Sequence, residues 1–205
     1  WQPSEEKIKS SNLYAFMTGI NEQYGTDFSE YTALHEWSIN NIPEFWAAMW
    51  TYADIIASEP YEQVLDDPKK MPGAKWFSGA RLNFAENLLR YRDHRQALVF
   101  NGENQVHRTF TYAELYDEVA RVAASLKAAG VTVGDRVVGF MPNMPQAIMA
   151  MLAAASLGAT WSSCSPDFGI KGVLDRFGQI RPKVLFTANG YSFKGKSIDC
   201  LARIR

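Results

Sequence analysis

This 205-residue sequence predicts an α/β protein: a parallel sheet with helices on both faces, preceded by a helical N-terminal extension. Three observations predict it. Five of the six tryptophans (Trp1, Trp37, Trp46, Trp50 and Trp76) fall in the first 76 residues, where apolar residues recur at helical spacing. From about residue 96 short β-rich runs alternate with helical patterns, the grammar of βα units. The segment GFMPNMPQAIMAMLAAASLGATWSS, residues 139–163, is almost free of charge. Its longest apolar run, Ala147 to Ala155, is about half of the ~20 residues a membrane span needs. It reads instead as a crossover helix covered by neighbouring elements.

Each element follows in order. Leu13, Phe16, Met17, Ile20 and Tyr24 occupy one face of a helix that ends at Gly25. A second pattern starts near Ser29 and carries Tyr31, Leu34 and Trp37. In IPEFWAAMWTYADI, Pro43 suits a first helical turn, and Trp46, Met49, Trp50 and Ala53 form the expected stripe. DDPKKMPGAKWFSGARLN reads as an irregular connection. Asn83, with Glu86 three residues on, opens a short helix over FAENLLRYR. ALVF, NGENQ and VHRTFT predict a hairpin with an Asn-Gly turn. Thr111 and Glu114 form a capping box ahead of Leu115, Val119, Val122 and Leu126, and Gly130 closes that helix. Strands are then expected near 136–140, 159–163 and 183–187, joined by helices near 145–157 and 170–180, with Pro182 ending the second. A further helix is expected after KVLFT.

Composition narrows the function classes. Apolar residues make up 47% of the chain and the formal net charge is −1, so no nucleic-acid or anionic-membrane footprint is present. The opening WQPSEEKIKS is charged and lacks an apolar h-region, so no signal peptide and a soluble, cytoplasmic chain are the expectation. Two cysteines, Cys164 and Cys200, offer neither a disulfide framework nor metal spacing.

In open α/β sheets, ligands bind beyond the carboxyl ends of the strands, which here means the loops MPNMP, CSPDFG and ANGYSFKGK. None carries a Walker phosphate loop, a dinucleotide fingerprint or a nucleophile elbow. His35, His94 and His107 are isolated and read as structural. Cys164 reads as a small buried filler rather than an activated thiol. Asp167 is expected to cap the following helix, with ligand binding as the alternative. Lys194 and Lys196 flank Gly195 in a segment that reads either as a solvated turn or as a phosphate contact.

Residues from Thr109 to Gly169 resemble the opening of the adenylate-forming acyl-CoA synthetase domain. The TYAEL capping box, the GVTVGDRV entry and the MPNMPQAIMAMLAAASLGA unit stand at that family's spacings. KWFSGARLNFAENLL resembles the N-terminal extension of its acetyl-CoA synthetase-like members. The start W-x-P-S-x-E, TWSSCSPDFG and TANGYSFKGK resemble its acetoacetyl-CoA synthetase branch. The resemblance implies an extension over residues 1–95 and the first part of an AMP-binding domain over 96–205. It also implies ATP, CoA, Mg²⁺ and acetoacetate as ligands of the whole enzyme, with small-molecule substrates and neither nucleic-acid nor membrane partners.

By the same resemblance, Pro166, Asp167, Phe168, Lys194 and Lys196 are CoA contacts. Lys196 and Phe193 stand at the family's basic positions, and Pro166 and Asp167 replace its glycines. No catalytic residue and no metal ligand are implied within these residues. The family's Gly/Ser/Thr-rich phosphate loop and C-terminal lysine are absent from them, so the chain is expected to be inactive alone. Three alternatives stand beside this reading: an acetyl- or propionyl-CoA synthetase, a non-catalytic nucleotide-binding module, and an interaction scaffold using the Trp-rich helices. Apolar surface at Met149, Met151 and Leu152 is expected to drive self-association.

Overall fold

Serine side chains open the first two helices. Ser4 Oγ accepts from Lys7 N–H to start α1 (Glu5–Lys9), and Ser11 Oγ accepts from Tyr14 N–H to start α2 (Asn12–Tyr24). The computed structural model describes residues 3–103 and 106–201, which form two units divided between residues 82 and 83. Expectations that fall on Trp1, on Asn104–Gln105 of the hairpin turn and on 202–205 lie outside the described residues.

In the first unit α2 ends at Gly25, whose φ of 67° places it in the left-handed region, as expected. Phe16, Met17 and Ile20 are buried with Leu34 of α3 (Tyr31–Asn40) and Ala48 of α4 (Ile42–Tyr52). Two stripe assignments need correction. Leu13 begins α2 before it reaches the core and is half exposed. In α4 the inward face is Phe45, Ala48 and Met49, because the helix starts at Ile42 and its phase is set by Ala48 meeting α2. Trp46 instead lies at the surface, with its ring 5.8 Å from Trp76. Ala53 falls at the helix end. Within the segment read as irregular, β2 (Trp76–Ser78) forms an antiparallel ladder with β1 (Gln63–Leu65), which lies just ahead of that segment. Three-residue strands are too short to show alternation in sequence.

The second unit opens with α5 (Phe84–Leu88), where Asn83 Oδ1 accepts from the N–H groups of Ala85 and Glu86. The hairpin is β3 (Gln96–Asn101) against β4 (His107–Thr111), and Asn101 is its last paired residue rather than a turn residue. The capping box starts α6 (Tyr112–Ala128) as read: Glu114 N–H donates to Thr111 Oγ, and Thr111 N–H donates to the Glu114 carboxylate.

Next come β5 (Arg136–Phe140), α7 (Pro145–Ser156), β6 (Thr160–Cys164), α8 (Ile170–Ile180) and β7 (Val184–Thr187), each within a residue of its expected bounds. Strand order is β6-β5-β7, all parallel, with Val137 opposite Trp161 and Val184. Alternation divides the sheet's two faces. Val137, Trp161, Val184 and Phe186 pack toward α5, α6 and α7, whereas Val138, Phe140 and Cys164 pack toward Phe177 of α8. Helices therefore cover both faces.

The helix expected to hold LARIR falls on 202–205, outside the described residues, and the loop expected after KVLFT is an antiparallel hairpin of β8 (Gly190–Phe193) and β9 (Lys196–Asp199). Tyr191 and Cys200 bury into the Phe140–Phe177 cluster at its base, a contact no local pattern announces.

Candidate functional site

Three chain segments leave the carboxyl end of the parallel sheet. After β5, Met141–Met144 leads into α7 with Pro145 in its first turn. After β6, Ser165–Phe168 turns into α8, and after β7 the chain passes Ala188 and Asn189 into the β8–β9 hairpin. A cleft of ≈ 510 Å³ lies at this edge, lined by methionines 141, 144 and 149 together with Arg108, Thr187 and Asn189.

The β6–α8 turn is built from one buried and two exposed residues. Pro166 is fully buried, while Asp167 and Phe168 face outward. Asp167 does not cap α8, contrary to expectation. The N-cap is Gly169, with no side-chain capping bond, because the extended residue before the helix lies two positions further along. The Arg176 guanidinium stacks 4.2 Å over the Phe168 ring. At the other end of α8, Arg181 is left-handed with φ 47°. Arg136 donates to the free carbonyls of Ile180 (2.7 Å) and Arg181 (3.0 Å).

The hairpin carries the two lysines. Lys194 (φ 52°) and Gly195 (φ 73°) are its two turn residues, both left-handed as a type I′ turn requires. Lys196 pairs across the ladder with Phe193, and Lys194 Nζ stands 5.2 Å above the Phe193 ring. Both lysines are exposed, and among the described residues neither ammonium has a carboxylate partner. The carboxylate that does reach this tip, Glu103, accepts from the backbone N–H groups of Lys194 (3.0 Å) and Gly195 (3.1 Å). Sequence reasoning missed Glu103, because the contact spans more than ninety residues of chain. The β6–α8 turn and the hairpin share one apolar base, since Cys164, Phe177 and Tyr191 belong to the same cluster. Their polar ends are held separately, Phe168 by Arg176 and the turn residues by Glu103.

Other candidates are structural. Cys164 is buried, and burial pushes its thiol above the usual range, the opposite of an activated nucleophile. His107 Nδ1 bonds with Asn101 Oδ1, and His35 lies against the ring of Tyr31. Among the described residues no group of three or more His, Cys, Asp or Glu side chains is placed to hold a metal ion. No helix among them is long and apolar enough to cross a membrane.

Comparison with known proteins adds the family. Residues 31–88 match the family model described as acetyl-coenzyme A synthetase N-terminus. Over the whole chain the sequence is 45% identical to an acetoacetyl-coenzyme A synthetase of Rhizobium meliloti. It is 39% identical over 92% of the chain to malonamoyl-CoA synthetase vrtB of Penicillium aethiopicum. The solved acetoacetyl-CoA synthetase of Streptomyces lividans superposes on the entire chain with a TM-score of 0.92 at 44% identity. The chain spans about a third of these proteins' length: 31%, 27% and 32% respectively. Residues 84–204, more than half of the chain, match the model for AMP-binding enzymes, and the chain belongs to that family.

Proposed function

We propose that this chain is the N-terminal part of an AMP-forming acid–thiol ligase that activates acetoacetate with ATP and transfers the acyl group to CoA. The observation that carries this reading is the full-chain superposition on the Streptomyces lividans enzyme, joined to the adenylate-forming family match. In the reaction, a carboxylate oxygen attacks the α-phosphorus of ATP and pyrophosphate leaves. The CoA thiolate then attacks the acyl carbon of the adenylate and AMP leaves. Mg²⁺ belongs to the ATP half of that chemistry. Residues 1–95 are the extension in this reading, and 96–205 begin the AMP-binding domain of a cytoplasmic enzyme of lipid metabolism.

This chain's own contribution is the CoA edge. Asp167 and Phe168 are exposed on one turn, over the buried Pro166. Lys194 and Lys196 bring two exposed ammonium groups to the hairpin. These suit the phosphates of CoA, which are met at the rim of a sheet rather than in its core. Lys196→Ala in the longer protein is expected to raise KM for CoA about five- to thirtyfold, the equivalent of ~1–2 kcal/mol. Pyrophosphate exchange, which needs no CoA, is expected to stay unchanged.

The malonamoyl-CoA synthetase relative supports a second reading, in which the acyl group is another short acid. Both readings are tested by following AMP formation from ATP and CoA by the longer protein with acetoacetate, acetate, propionate and malonamate. Highest kcat/KM with acetoacetate supports the first reading, and preference for another acid overturns it in favour of the second. The 205-residue chain alone is expected to form no AMP, and adenylation by it would place the chemistry wrongly.

A further inference from the structure

We infer that Glu103 is a positioning residue whose carboxylate clamps the tip of the β8–β9 hairpin and thereby sets where Lys196 stands. The inference rests on the reading that Lys196 meets a CoA phosphate. An isolated two-stranded hairpin is marginally stable in water, so its position depends on what holds it. The base of this one is held by Tyr191 in the apolar cluster with Phe140 and Phe177. The tip lies at the exposed end, where Lys194 adopts φ 52°, a conformation that disfavours any residue with a Cβ.

In a two-residue turn the N–H groups of the turn residues take no part in the ladder. Here a single side chain takes both. Glu103 Oε1 accepts from Lys194 N–H at 3.0 Å, and Oε2 accepts from Gly195 N–H at 3.1 Å. Charge-assisted, two-point acceptance of this kind constrains orientation as well as distance. Glu103 follows Gly102, whose N–H donates to Val106 carbonyl at 2.8 Å, so the clamp is anchored in the β3–β4 hairpin. Lys196 is the residue immediately after the clamped pair, so holding those two peptides holds its Cα. The carboxylate also occupies the amide pair that an incoming phosphate would otherwise contact, which directs anion recognition to the lysine side chains.

The test has two arms. In the 205-residue chain, amide hydrogen exchange by NMR is compared for wild type, Glu103→Ala and Glu103→Gln. Glu103→Ala is expected to remove the protection of the Lys194 and Gly195 amides and leave Val138 in the core sheet unaffected, with Glu103→Gln intermediate. In the longer protein, Glu103→Ala is expected to raise KM for CoA about three- to tenfold, with kcat and pyrophosphate exchange unchanged. The Glu103→Ala/Lys196→Ala double variant is expected to be no worse than Lys196→Ala alone. Unchanged protection at both amides would refute the clamp. An effect of Lys196→Ala on KM, with none from Glu103→Ala, would refute the positioning role while leaving the CoA reading intact. A fall in KM on Glu103→Ala would overturn the inference and identify the carboxylate as a group that obstructs an anion site. If Lys196→Ala is itself silent, the CoA-edge reading fails, and the positioning role falls with it even where the exchange arm detects the clamp.

Discussion

Gly139 shows how tightly a single residue is constrained in the sheet. It sits mid-strand in β5, on the face toward α7, and a Cβ built there meets ring atoms of Trp161 at 2.7 Å. The indole leans diagonally from β6 across the glycine, with its centroid 6.1 Å from Phe186. Gly139→Ala therefore forces the ring to move and is expected to cost about 1–3 kcal/mol. A lowered urea midpoint at constant slope would verify this, and an unchanged midpoint would contradict it.

Asp135 is the second such residue, in the GVTVGD turn. Its carboxylate accepts from Thr132 N–H at 2.8 Å, Thr132 Oγ at 3.0 Å and Lys183 Nζ at 3.0 Å. The bond from Thr132 N–H, then that from Lys183, hold its carboxyl at about 2. The folded value lies below the unfolded value of about 3.9. Its contribution is therefore complete above pH 4 and is lost as pH falls from about 4 to 2. Asp135→Asn should lower stability at pH 7 and flatten the decline between pH 4 and 2. Asp66, likewise held at about 2, keeps part of that decline in place. Urea midpoints at pH 7 and pH 3 decide it: an identical acid decline in the variant would refute the assignment.

At the scale of elements, the ends proved as informative as the middles. The start of α6 was readable because both partners of its capping box lie within four residues of each other. The end of α8 was not, because Pro182 signals only that the helix stops. What satisfies its last carbonyls is Arg136, more than forty residues earlier. Arg136→Met keeps the stem but leaves two carbonyls without their charged donor. It is expected to cost on the order of 1.5 kcal/mol and to loosen the last turn of α8 first. Loss of exchange protection in that turn, ahead of β5 itself, is the signature to look for. Uniform destabilisation of both would indicate that the side chain serves strand packing instead.

Across the whole molecule, the apolar surface lies elsewhere than the sequence suggested. Met149 and Leu152 are 4% and 2% exposed, because α5 and α6 of the same unit cover α7. The exposed apolar face is on the opposite side of the sheet. There Phe168, Ile170, Leu174 and Leu185 are 37–65% exposed and flank a groove of ≈ 200 Å³. A patch of this kind favours association. The 205-residue chain is expected to self-associate in sedimentation at high concentration, and Leu174→Glu to suppress it. A strictly monomeric wild type would refute this, as would a variant that associates equally well.

Local sequence determined what local physics controls. The βα alternation from residue 136 onward was legible because each strand and helix is specified by its own periodicity, and parallel pairing follows from the intervening helices. Gly25 and the Thr111 cap were legible because backbone sign and side-chain capping act within a few residues. The loops at the carboxyl end of the sheet were also legible in kind, since they follow from the strand–helix alternation. Tertiary structure alone decided the rest. It selected Phe45 and Ala48 over Trp46 as the inward face of α4, and it folded the ANGYSFKGK loop into a paired hairpin. It also brought Glu103 to the amides of Lys194 and Gly195. The physical reason is common to all three: a short segment has several conformations of similar energy, and the choice falls to partners that pack against it from distant parts of the chain.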